Sequence, residues 1–176
     1  DKAVATPAFF GSFKVLKNHD LSVRAFYKRM FRMPTFNDLY YTDMGNAFLK
    51  PEYAEQFNVG LKYTRNFEKS PFMRMLDVSV DAYYNKITDK IIAYPKGQQF
   101  RWTMLNLGEV EIKGVDAVLN TQFSLGKLEV TTKFQYTYQE AIDVTDPADT
   151  YYRDQIPYIP WHSGSAILAL FYKGWG

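Results

Sequence analysis

Apolar and polar residues alternate with a period of two along almost the whole chain. From residue 128 to 139, Leu128, Val130, Thr132, Phe134, Tyr136 and Tyr138 fall on one face, and Glu129, Thr131, Lys133, Gln135, Thr137 and Gln139 on the other. The same alternation covers 21–28, 57–64, 76–85 and 115–123, with shorter runs at 9–16 and 165–172. Period two is the mark of a strand whose two faces meet different surroundings. The pattern predicts an all-β chain of about seven strands, and no segment with helical period competes. Several runs reach ten residues, beyond the five or six usual in globular sheets. Ten is about what a tilted strand needs to cross a bilayer.

The connections add a second regularity. A short one at 17–20 is followed by a long one at 34–52, a middling one at 65–74, a long one at 93–104, a tight turn at 125–126 and a long one at 141–161. Short and long turns alternate in this way in outer-membrane barrels, with short periplasmic turns and long extracellular loops. One strand also changes character along its length. Glu109, Glu111 and Lys113 share parity with Val115, Ala117 and Leu119. Either the strand rises out of lipid at that point, or a bulge at Gly114 resets the register.

Composition narrows the class. Mean hydropathy is −0.33 and no run of about 18 apolar residues exists, which excludes a membrane-spanning helix but not a membrane-spanning barrel. There is no cysteine, so no disulfide or thiolate metal site. Lys and Arg number 21 against 19 Asp and Glu, a net charge of +2, which gives no field for nucleic acid. Aromatic residues make up 18% of the chain, with 14 Tyr and 14 Phe. Such residues favour strands and sites where one end of a side chain is apolar and the other wet.

The segment 31–57 is dense in aromatic residues yet reads as neither strand nor helix. Pro34 and Pro51 end pairing at its shoulders, and Asn37-Asp38 and Met44-Gly45-Asn46 supply turn chemistry. Within it and just beyond, Arg32-Met33-Pro34-Thr35, Asp38-Leu39-Tyr40, Gly45-Asn46 and Leu49-Lys50-Pro51-Glu52 with Gln56 and Gly60 resemble the TonB-dependent receptor family of Gram-negative outer membranes. Further matches follow in family order: 80–91 (VDAYYNKITDKI), 106–119 (NLGEVEIKGVDAVL, with Asp116 where Glu is commoner) and 156–164 (IPYIPWHSG). The Pro-Glu-x-x-x-Gln-x-x-x-Gly spacing resembles the Bacteroidetes-type vitamin B12 receptor group.

The resemblance implies an antiparallel up-and-down segment of a 22-stranded transmembrane barrel. Residues 1–176 would form part of the barrel domain, with the plug domain absent and both ends cut. It implies a transporter, not an enzyme. The cargo would be a scarce nutrient complex such as cobalamin, a ferric siderophore or haem. The partners would be the TonB complex, acting through the missing plug, and outer-membrane lipid and lipopolysaccharide. No resident cofactor is implied. Phe36, Tyr40, Tyr41, Phe48, Phe100 and Trp102 would form an aromatic girdle and loop packing, or line a ligand vestibule. The stripe Asp77, Ser79, Asp81 and Asn85 would face the lumen and the plug. The basic group at 26–32 would touch lipopolysaccharide phosphates or hold the plug.

Other chemistry is sparse. Asp77 and Asp81 lie four residues apart, about 13 Å along a strand, too far for a carboxylate dyad. His19 and His162 have no second ligand at metal spacing. Asp143, Asp146 and Asp149 sit in an acidic loop with the oxygen chemistry calcium takes, though without an EF-hand pattern. Two other readings compete with a transporter: a soluble lipocalin-like small-ligand barrel closed by about eight strands, and an enzyme, which lacks a nucleophile that could be paired with either histidine.

Overall fold

The computed structural model describes residues 4–16, 20–96 and 101–172. It is a single antiparallel sheet of seven strands in chain order: β1 Ala8–Lys14, β2 Asp20–Arg32, β3 Glu52–Asn66, β4 Met73–Lys96, β5 Arg101–Leu125, β6 Leu128–Asp143 and β7 His162–Tyr172. Each strand pairs only with its sequence neighbours, so β1 and β7 are the two open edges. The predicted all-β meander is the fold observed.

Register follows the alternation. Phe57, Val59, Leu61 and Tyr63 lie opposite Tyr84, Ala82, Val80 and Val78, which lie opposite Lys113, Val115, Ala117 and Leu119. That parity continues through Tyr138, Tyr136 and Phe134 on β6 and His162, Gly164 and Ala166 on β7. No register shift occurs at Gly114. The register shift in the β4–β5 ladder is at Met73/Met75, and the ladder also skips the pair at Asp89 without a change of register. Glu109, Glu111 and Lys113 therefore do share a face with Val115, Ala117 and Leu119, and the change from charged to apolar is a property of the face.

The connections differ from expectation in three places. The long connection expected at 93–104 is absent: β4 and β5 pair up to Lys96↔Arg101, and residues 89–96 and 101–109 rise past the last pairs with β3 and β6. Alternating apolar residues sustain the hairpin there in spite of Pro95. The tight turn is Gly126–Lys127, between the pair Leu125↔Leu128, with Gly126 at φ +66°. The segment 33–51 contains a short helix, α1 Phe36–Tyr40. Thr35 caps it: its hydroxyl accepts from the Asp38 N–H at 3.2 Å, and its own N–H donates to Asp38 Oδ2 at 2.9 Å. This is a capping box, with Asp in the third position.

The two faces exchange roles along the strands. In the lower part the parity that includes Val59, Leu61, Val80, Val115 and Phe134 is apolar and exposed. Higher up, the same face carries the pairs Arg29–Glu55 (3.9 Å), Lys86–Glu109 (3.0 Å) and Lys113–Glu140, and the Tyr84 hydroxyl donates to Glu111 at 2.9 Å. The opposite face is polar below. Above, it holds the buried cluster Ala54, Ile87, Val110, Ile112, Ala141 and Ile156. Ile156 belongs to the 144–161 connection, which folds back over the sheet to close this cluster.

Candidate functional site

The polar face is knit by cross-strand pairs centred on the predicted stripe. Asp77, Ser79, Asp81 and Asn85 share the face and are partly buried. Asp81 receives Arg24 in a two-pronged pair, Nε to Oδ1 at 3.0 Å and Nη2 to Oδ2 at 2.5 Å. Between them on β3 lies Gly60, directly opposite both. A Cβ at position 60 would collide with the Asp81 carboxylate, so glycine here keeps open the path by which Arg24 crosses β3. On the far side Asp81 faces Asp116, which accepts from the Thr137 hydroxyl at 2.7 Å. Asp77 accepts from Thr64 at 2.7 Å and Asn120 at 3.0 Å, with Lys62 at 3.4 Å. Ser79 and Asn85 share the stripe without joining this network.

The basic group at 26–32 divides between the faces. Lys28 takes the polar parity, Arg29 turns to Glu55 on the apolar side, and Arg32 pairs with Asp38 at 2.9 Å and Glu52 at 3.6 Å. On the apolar side an aromatic row crosses four strands: Phe9, Tyr27, Phe57 and Tyr84, with ring centroids 6.3, 4.8 and 6.5 Å apart. At the other flank His162 Nδ1 lies 2.8 Å from the Tyr136 hydroxyl, with Tyr138 and Trp161 beside it. His162 is thus part of an exposed aromatic group. His19 lies outside the described residues.

Two connections, 33–51 and 144–161, flank the tall β4–β5 hairpin. The loop 33–51 carries Phe36 and Tyr40 in tilted contact on α1, ring centroids 5.1 Å apart, with Tyr41 and Phe48 following. All four rings are exposed, Phe48 at 91%. Trp102, on β5, packs on Tyr158 of the 144–161 connection at 5.9 Å. The structure therefore places Trp102 against the second loop. Phe100 lies outside the described residues. A cavity of about 420 Å³ separates the hairpin from the second loop, lined by Ile92, Tyr94, Leu105, Leu107, Tyr151 and Ile156.

The acidic residues of that loop organise its own turns. Asp143 accepts from Thr145 N–H at 2.9 Å, Asp146 from Ala148 N–H at 2.9 Å and Asp149 from Tyr151 N–H at 3.0 Å. Among the described residues no three His, Cys, Asp or Glu side chains converge as a metal site.

Burial pushes the Asp38 carboxyl up, but hydrogen bonds from Thr35 and the charge of Arg32 outweigh it and hold the carboxyl below its ordinary value. A lowered carboxyl value means stabilisation that is fully present above the unfolded value of about 3.9 and lost as pH falls through the folded one. Amide protection of Leu39 and Tyr41, whose N–H groups close α1, is expected to hold near neutrality and to fall only below about pH 4. Protection unchanged into acid would refute this. Thr35→Ala should remove about 1 kcal/mol of local stability at neutral pH.

Alternation along the chain locates the polar stripe but not its partners. Arg24, Gly60 and Asp116 act only through register. The Thr-x-x-Asp of the capping box is itself a local signal, one that the turn chemistry of Asn37-Asp38 obscures.

A family model described as "TonB dependent receptor-like, beta-barrel" matches residues 1–176. The chain belongs to that family. Over 99 residues it is 32% identical to a vitamin B12 transporter BtuB of Vibrio vulnificus, covering 56% of this chain and 14% of the relative. Over 113 residues it is 34% identical to a vitamin B12 transporter BtuB of Photobacterium profundum, covering 60% and 16%. The aligned part thus spans about one-sixth or less of these relatives. Membership in this family, with an open sheet, displaces the closed lipocalin-like barrel.

Proposed function

We propose that the chain is one wall of an outer-membrane, TonB-dependent transporter that takes up a scarce nutrient complex, cobalamin being the first cargo to test ahead of ferric siderophores and haem. One observation carries the reading. The sheet exposes a continuous apolar band on one face while its other face is an ion-paired polar surface, the arrangement of a barrel wall between lipid and lumen and the reverse of a water-soluble barrel. The names of the relatives support the cargo. In this reading residues 1–176 are part of the barrel domain and the plug lies elsewhere in the protein. The polar stripe faces that plug, through which the TonB complex acts. Lipid and lipopolysaccharide cover the apolar face, and the exposed rings of 33–51 meet the cargo. The protein moves its cargo without chemical change.

The test is uptake of radiolabelled cyanocobalamin by cells with and without the gene, in backgrounds with and without TonB. Uptake should depend on both. Uptake unchanged by deletion, with ferric siderophore or haemin uptake lost instead, would shift the cargo. No change in any of the three would sink the transport reading.

A further inference from the structure

The loop 33–51 has no strand partner, yet its return limb is tied to β5. The Met104 N–H donates to Met44 O at 2.8 Å, and Asn46 Nδ2 donates to Met104 O at 3.0 Å. Two residues along, the Asn106 side chain takes over. Its Oδ1 accepts from the Lys50 N–H at 2.9 Å, and its Nδ2 donates to Lys50 O at 3.1 Å and to Asp89 O at 2.7 Å. A primary amide offers one acceptor and two donors, and all are used. Its oxygen and one donor engage Lys50 as a neighbouring strand would. The second donor holds Asp89, where the β4–β5 ladder skips a pair and the backbone takes φ +55°. The next residue in the loop, Pro51, has no N–H, so the chain cannot extend this pairing by itself.

The geometry points to Asn106 as a positioning residue that fastens the aromatic loop to the β4–β5 hairpin and fixes Phe36, Tyr40, Tyr41 and Phe48 in one arrangement for the incoming cargo. The role of the rings rests on the transport reading above; the fastening rests on the hydrogen bonds alone. The Lys50 ammonium also reaches the Asp89 carboxylate, at 3.9 Å with Lys50 largely exposed, but among the described residues no other side chain hydrogen-bonds backbone groups of both the loop and the hairpin at Asp89. Asn106 opens the Asn-x-Gly element at 106–108, and the hydrogen bonds give that element a physical role. Its amide imitates a strand edge for a loop that has no strand beside it.

The test uses the full-length receptor in detergent with Asn106→Ala and Asn106→Asp. Hydrogen exchange across 44–51 should rise about tenfold in Asn106→Ala, from the loss of hydrogen bonds to backbone groups. Heat-modifiability of the barrel should not change. Asn106→Asp keeps the shape and the acceptor but sets a carboxylate against two carbonyl oxygens, so it should loosen the loop at least as much, an outcome that packing alone would not give. The dissociation constant for cyanocobalamin should weaken by a similar factor in both. Exchange unchanged across 44–51 would overturn the fastening. Increased exchange with unchanged cyanocobalamin affinity would overturn the positioning role. Should the wild-type receptor bind no cyanocobalamin, the cargo assignment fails instead, and the exchange result decides the fastening by itself.

Discussion

A lysine at Leu119 is expected to prevent stable assembly of the barrel, whereas a lysine at the adjacent Val118 should be tolerated. The two positions differ only in parity. Leu119 lies opposite Val78 on β4 and Phe134 on β6, inside the exposed apolar band. Val118 lies opposite Ser79 and Gln135, on the polar face and without a like charge across either ladder. A lysine facing the middle of a bilayer costs about 2–4 kcal/mol, while substitutions facing the lumen cost little. The measurement is the folded fraction of the full-length receptor on cold gels and its unfolding midpoint in urea. Equal loss at both sites would mean that the apolar band is buried against protein, and the assignment of faces would fail. A lipid-phase label attached at cysteines placed at Val78, Val80, Val130 and Phe134 would report the same boundary without adding charge.

The second large effect is expected at the Arg24–Asp81 pair. The Asp81 side chain is 15% exposed and the Arg24 side chain 42%. Arg24→Ala leaves a mostly buried carboxylate facing Asp116, with no cation in place of the guanidinium. The loss should be about 1–3 kcal/mol, below the range for fully buried pairs because Arg24 is partly solvated. Adding Asp81→Asn should recover most of it, since that change removes the unpaired charge. Gly60→Val should act like Arg24→Ala although position 60 is uncharged, because its side chain would occupy the crossing path. A double-mutant cycle between 24 and 81 reads the coupling directly. A coupling near zero, or Gly60→Val behaving as wild type, would show that the pair contributes nothing and that Arg24 has another place to go.

These two predictions separate what is legible in the sequence from what is not. Parity is restated every second residue, so long strands such as β5 and β6 declare their faces many times over. The meander, the apolar band and the polar stripe are all readable for that reason. Partners across the sheet are not. Arg24 and Asp81 are 57 residues apart, and only the register of two ladders brings them together over Gly60. The upper β4–β5 hairpin reads as a loop because Pro95 and Gly97 are turn formers and the Lys and Gln beside them break the apolar alternation, while its strand character comes from pairing. The helix α1 is five residues long, too short for a helical period to show, and its start is marked only by the capping box. The aromatic loop is evident from composition, but Trp102 belongs against Tyr158 of the other loop, a contact that no local pattern announces.

The meander has a consequence for how such a protein can change over generations. The tightest connection is the two-residue Gly126–Lys127 turn, and the longest is 33–51, nineteen residues. Loop closure entropy grows only with the logarithm of length, so the longest costs about 2 kcal/mol more to close than the shortest. Ten further residues in 33–51 would add only about 0.4 kcal/mol. Each strand finds its partner next along the chain, so a longer loop does not force a new pairing. Insertions and deletions in these long connections are therefore nearly neutral for folding, while a single residue added within a strand would turn every side chain beyond it to the wrong face. On the transport reading, selection can rewrite what such a protein captures while the wall that carries it stays fixed.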